Sequence, residues 1–164
     1  MNPSAINVIL SLFAALALHE WGHYLAARAC RVAVIQAGFG WGPKLFGFRV
    51  NRVDYQLRLL PIGAYIRMDM SSLQKRPLLQ QLFVLLAGIA VNFILAAMAW
   101  GTFFGALNFL LAIANLFPLY QQDGWKSGMV IFRRAFNRTS PLVEWCFTLS
   151  AGLIGAVLFA RALL

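Results

Sequence analysis

Charge is what this chain has least of. Asp, Glu, Lys and Arg make up 12% of its 164 residues while 61% are hydrophobic, against about 25% charged in an ordinary soluble domain, and the mean hydropathy is +0.72. That balance excludes a soluble globular fold. The shortage is also lopsided, with 5 acidic residues against 14 basic ones and a formal net charge of +9. Nucleic acid is not the expected partner of this excess, because the basic residues flank apolar runs, where membrane topology and anionic headgroups account for them. Cysteine is scarce as well: Cys30 and Cys146 have no paired motif, which excludes a disulfide scaffold and reads as two free thiols on a reducing side. The length leaves room for one domain of a few spans.

Histidine occurs twice, and both copies fall in His19-Glu20-Trp21-Gly22-His23. Two imidazoles at i and i+4 lie about one turn apart on one helix face, so both reach a single metal ion, with Glu20 beside it. The pattern sits inside the apolar run from Ile6 to Ala29. Ionisable groups inside a membrane span cost several kcal/mol without partners and mark a functional site.

The run Ile6 to Ala29 has 24 residues, roughly 36 Å of helix, enough to cross a bilayer core of about 30 Å. Ala15-Leu16-Ala17 resembles a signal cleavage site, but cleavage there would separate the anchor from the histidines, so residues 1–30 are read as a retained first span. Residues 32–69 are rich in glycine and alternate: Phe46, Phe48 and Val50 point one way, and Tyr55, Leu57 and Leu59 oppose Gln56 and Arg58. This predicts a small sheet of three or four strands, with turns near Gly40 to Pro43, Asn51-Arg52 and Pro61 to Gly63. Residues 78–104 read as the second span and contain Asn92, a mid-span amide that needs a buried partner. Residues 106–136 read as a broken third span: the apolar run ends at Pro118, which removes a backbone donor, and a helix resumes near Asp123. Residues 141–164 read as the fourth. The fold class is therefore a membrane α-helical protein of about four transmembrane helices, with a small membrane-associated β-sheet between the first and second, all in one domain over residues 1–164.

With four spans and an outward N-terminus, 13 of the 14 basic residues lie on the cytoplasmic side and only Arg161 outside. The expectation is a multi-pass protein of a prokaryotic cytoplasmic membrane, its metal nearer the cytoplasmic face. A catalytic metal of this kind takes three protein ligands, and with no third histidine the choice falls among Asp54, Asp69, Asp123, Glu144, Cys30 and Cys146. Asp54 and Asp69 sit among arginines and read as surface ion pairs. Asp123 follows the Pro-broken helix on the same side of the bilayer as the histidines and is the favoured third ligand, with Glu144 its main rival.

Taken in order, these motifs resemble the site-2 proteases, intramembrane zinc metalloproteases. His19-Glu20-x-x-His23 matches that family's zinc motif. Residues 38–46 and 60–68 look like its membrane-associated β region, Gly88-x-x-x-Asn92 resembles its second-span motif, and Asn115-x-x-Pro118-x-x-x-x-Asp123-Gly124 its Asn/Pro and Asp-Gly motif. Ile89, where a proline is common, and Gln121-Gln122 before Asp123 depart from the pattern. Residues 32–69 are too few for the PDZ domain of many relatives, so the chain looks like a minimal member. The resemblance implies Zn2+ held by His19, His23 and Asp123, Glu20 as general base, and a transmembrane protein substrate. Asn92, Asn115 and Pro118 are its candidate substrate-binding residues. A substrate strand would be held at the edge of the 32–69 sheet. Alternatives are a non-proteolytic zinc-binding pseudoenzyme and a membrane scaffold of the same fold.

Overall fold

Helix α1, Ala5–Ala29, opens at Ser4, whose hydroxyl accepts a hydrogen bond from the Asn7 amide at 3.3 Å. In this computed structural model, residues 4–117, 119, 121–136, 145, 146, 148–150, 152–154, 157 and 161 are described. Ala15, His19, Gly22, His23, Ala26 and Ala27 form the buried stripe of α1, the three-and-four spacing of a helix packed on one side. Ile6, Ile9, Leu10, Leu18 and Leu25, away from that stripe, are apolar and exposed.

Strands β1, Val34–Val50, and β2, Val53–Met68, follow. The expected small sheet of three or four strands is present, its legs supplied by two long strands that pair with each other twice. Their hairpin turns on Asn51 and Arg52, at φ 49° and 69°, the two left-handed positions of a two-residue turn that matches sheet twist. Beyond it Phe48 pairs with Tyr55 and Phe46 with Leu57, while residues 36–39 pair on one side with 54–57 and on the other with 64–67. The register therefore lays four legs side by side in the order 46–50, 53–57, 36–39 and 64–68, leaving the first and last as edges. Bends at Gly40, Gly42 and Gly63, all with φ near +85°, allow this doubling and fall where the sequence places turns.

A short helix α2, Met70–Gln74, was not anticipated. Asp69 caps it, accepting from the Ser71 amide at 3.0 Å and the Ser71 hydroxyl at 2.8 Å. The hydroxyl bond first, then the backbone amides, hold this carboxyl below its ordinary value. Asp69 is thus a cap, not the surface ion pair expected of it, whereas Asp54 does pair with Lys44 at 3.6 Å.

Helix α3, Leu78–Met98, and α4, Phe103–Leu116, form an antiparallel hairpin. The second span was expected to run on to Phe104. It stops at Met98 because the chain turns at 99–102, where the Thr102 hydroxyl accepts from the Gly105 amide at 3.1 Å and starts α4. Phe117 is extended at ψ 139° and Gln121 is left-handed at φ 72°, so the chain reverses before α5, Asp123–Phe136. Among the described residues α1 and α3 are long and apolar enough to cross a membrane. They are not the core of a soluble fold: Ile6 is 69% exposed and Leu79 and Met98 are each 80% exposed, an apolar surface suited to lipid. The expected third span is split between α4 and α5, and the expected fourth, 141–164, lies largely outside the described residues.

The core gathers at the C-terminal end of α1, where Ala26 and Ala27 meet Val34 and Val53 of the sheet, Leu73 of α2, Val84 and Leu85 of α3 and Val130 of α5. It fixes sheet, α3 and α5 around the end of α1 that carries the histidines.

Candidate metal centre

Helix α1 crosses α3 at close range. A Cβ on Gly22 would stand 2.7 Å from Val91 Cγ2 and 2.9 Å from the Ala87 carbonyl oxygen. One turn on, a Cβ on Gly88 would collide with His23 Nε2 and stand 2.7 Å from His19 Nε2. Each helix therefore gives the other a glycine, and the space kept open at Gly88 is filled by the two imidazoles.

His19 and His23 are both 4% exposed. The His23 Nδ1–H donates to the Val84 carbonyl at 2.8 Å, which fixes the ring and leaves Nε2 as a lone-pair donor. That atom lies 3.2 Å from His19 Nε2. The third corner is Asp123, delivered from the first turn of α5: its Oδ2 is 3.0 Å from His19 Nε2 and 2.9 Å from His23 Nε2. Asp123 reaches this point because α5 starts hard against the end of α4, where a Cβ on Gly124 would meet the Leu116 carbonyl. Its other oxygen, Oδ1, accepts from Lys126 Nζ at 3.0 Å, which turns Oδ2 to the histidines.

Two imidazole nitrogens and a carboxylate oxygen converge on one point, and they form a group able to hold a metal ion. Tetrahedral bonds of about 2.0–2.1 Å put ligand atoms about 3.3 Å apart, close to the triangle found here. Three electron-rich atoms this near in a buried place repel one another unless a cation or a proton lies between them, and with His23 Nδ1 already carrying its proton the donor set suits a borderline metal such as zinc.

Glu20 lies about 100° around α1 from His19, on the border between the metal stripe and the face turned to the sheet. That face, with Ala17, Trp21 and Tyr24, looks onto the apolar side of the sheet across a cavity of about 210 Å³. Tyr24 and Tyr55 join their hydroxyls at 3.0 Å, and Trp21 stacks on Tyr24 as Phe48 does on Tyr55. The Tyr24 bond first, then burial, pushes the Tyr55 phenol above its ordinary range.

The other residues singled out by sequence are placed less closely. Asn92 lies one turn beyond Gly88 on the same face of α3, is 1% exposed, and neither amide atom has a hydrogen-bond partner among the described residues. The Asn115 Nδ2 donates to the Leu111 carbonyl at 3.0 Å within α4. Pro118 and Glu144 lie outside the described residues. Sequence reasoning passed over Asn108, which is fully buried, donates to the Phe104 carbonyl at 2.9 Å and keeps its Oδ1 without a partner among the described residues. An amide in the middle of an apolar helix was the available signal. It also passed over Lys126, whose offset of three from Asp123 puts both on one helix face.

The family model for peptidase family M50 matches residues 7–104. Relatives include a protein of Clostridium perfringens named as a zinc metalloprotease, 34% identical over 99 residues, covering 56% of this chain and 30% of the relative. A chloroplast protein of Arabidopsis thaliana named as a membrane metalloprotease is 33% identical over 105 residues, 57% of this chain and 24% of its own. The zinc metalloprotease RasP of Shouchella clausii is 43% identical over 66 residues, 40% of this chain and 16% of its own. The matched stretch thus spans less than a third of these relatives.

Proposed function

This chain belongs to peptidase family M50, the site-2 protease family, and from that premise we propose that it is a zinc metalloprotease that cuts transmembrane segments of other membrane proteins. The observation that carries the proposal is the meeting of His19, His23 and Asp123 at one buried point on a helix long enough to cross a membrane, with Glu20 beside it. His19 and His23 would hold a zinc ion through Nε2, and Asp123 through Oδ2; bound there, it would supply Lewis-acid activation of water and of a carbonyl. Glu20 takes the proton from the attacking water and returns it to the leaving nitrogen. Lys126 and the Val84 carbonyl orient the ligands.

A helical substrate hides its peptide bonds and must be drawn out locally before it is cut. The edge legs 46–50 and 64–68 offer unpaired backbone groups to such an extended segment, and Asn92, Asn115 and Pro118 are proposed to hydrogen-bond or shape it. In this reading residues 1–164 work as one unit in the bilayer, with 141–164 as the last span. The basic excess sets residues 30–77 and 121–140, and with them the metal, towards the cytoplasmic side.

The test compares membrane proteomes of cells carrying the wild type and Glu20→Gln. Transmembrane proteins that accumulate uncut only with Glu20→Gln support the proposal, and identical proteomes from proteins that both hold zinc overturn it.

A further inference from the structure

Resting on the protease reading, we propose that the cavity between α1 and the sheet is the subsite for a large apolar side chain, of Leu or Phe size, on the substrate residue flanking the cut bond. Ala17 and Trp21 of α1 form one wall, and Phe46, Phe48 and Leu57 of the sheet form the other. These sheet residues share one face: Phe46 pairs with Leu57 and Phe48 with Tyr55 across neighbouring legs, so their side chains stand on the same side. Among the described residues Glu20 is the one charged group on the lining.

Two features decide what fills this space. The first is its junction with the chemistry. Glu20 belongs to the cavity wall and also stands between His19 and His23 in sequence, so a peptide whose carbonyl lies at the metal and whose attacking water lies at Glu20 puts its next side chain, one Cα step of about 3.8 Å away, over the aromatic wall. The second is size and polarity. An apolar cavity of about 150 Å³ is enough for a benzene ring, and this one has about 210 Å³. Besides Glu20, the polar groups on the lining are bonded to one another, Tyr24 to Tyr55 and Tyr65 to Gln56, so a charged or amide side chain would lose its hydration there with little replacement, whereas Leu or Phe would bury most of its surface. Selection then falls on one bulky apolar residue beside the cut, in addition to whatever backbone pairing the sheet edge provides.

The experiment uses the zinc-loaded protein in detergent and two series of short peptide hydroxamates, with the variable residue, Ala, Leu or Phe, on one side of the zinc-binding group or the other. Affinity is read by thermal shift and by competition with a fluorescent hydroxamate. In one of the series Phe and Leu should bind roughly ten- to a hundredfold more tightly than Ala, the gain expected from burying such a side chain. Ala64→Phe, which fills the cavity from the sheet, should weaken the Phe and Leu compounds more than the Ala compound and so remove the preference, and Leu57→Ala, which enlarges it, should shift the preference towards larger rings. Equal binding of all three residues in both series overturns the subsite. So does an affinity set by detergent chain length, which would mean that an acyl chain fills the cavity. Failure of every hydroxamate to bind would instead overturn the metal-centre reading on which the subsite rests.

Discussion

Gly88 of α3 is shaped around His19 of α1: a single added methyl group would stand 2.7 Å from the imidazole Nε2 that points at the metal position. Gly88→Ala should therefore push the histidines off the common point and weaken zinc binding roughly tenfold or more, with little loss of helix content. Zinc per chain, measured after dialysis against a graded chelator, checks this. Full stoichiometry at wild-type affinity would show that the imidazoles do not depend on the gap.

Separating ligand from base gives a second expectation. Asp123→Asn should lose zinc, whereas Glu20→Gln should retain it and lose roughly 10²- to 10⁴-fold in turnover, the usual contribution of a positioned proton carrier. Metal analysis of both variants and of Glu144→Gln decides the third ligand. Zinc lost from Glu144→Gln but kept by Asp123→Asn would reverse the assignment.

Lys126 holds the outer oxygen of Asp123 and is expected to act through it. Lys126→Met should leave the fold intact and reduce zinc affinity roughly 10- to 100-fold, as removal of an outer-shell partner does elsewhere, while Lys126→Arg should restore most of it. Unchanged affinity in Lys126→Met would reduce the contact to a surface ion pair.

The Tyr24–Tyr55 hydrogen bond ties the sheet to α1 beside the cavity. Tyr24→Phe and Tyr55→Phe should each destabilise by about 1 kcal/mol, and the double variant by no more than either alone. Additive losses in thermal or denaturant melts would mean the two hydroxyls act independently.

Orientation is open to chemical labelling. In a background free of Cys30 and Cys146, a cysteine at Lys75 or Arg138 should react with an impermeant maleimide only after the membrane is opened, because basic residues stay inside. Labelling of intact cells at either position would invert the proposed topology.

The sequence makes the candidate ligand group legible because its constraints are local. Two histidines one helical turn apart, and an aspartate just beyond a proline break, follow from helix geometry and backbone chemistry alone. The turns at Gly40 and Asn51-Arg52 are visible for the same reason. The doubling of the sheet is not, since alternation tells which face a residue takes but not that residues 36–39 pair with two different stretches of β2. The end of α3 at Met98 is hidden by composition: Ala99 and Trp100 continue the apolar run, and Gly101, at φ 79°, and the Thr102 cap are the local signs of the turn. Gly88 reads as ordinary packing in a helix because its neighbour, a pair of imidazoles 65 to 69 positions earlier in the chain, belongs to another element.

The two halves of the metal centre are far apart in the chain: His19 and Asp123 are 104 positions from one another. During synthesis, a chain that has emerged as far as α4 already carries both histidines and Glu20 but has no carboxylate to complete the site. The candidate metal site is thus incomplete until the α3–α4 hairpin has formed and α5 has folded back onto it. A metal ion bridging positions 19 and 123 would tie the chain into a loop of about a hundred residues, the kind of long closure that restricts the unfolded state most.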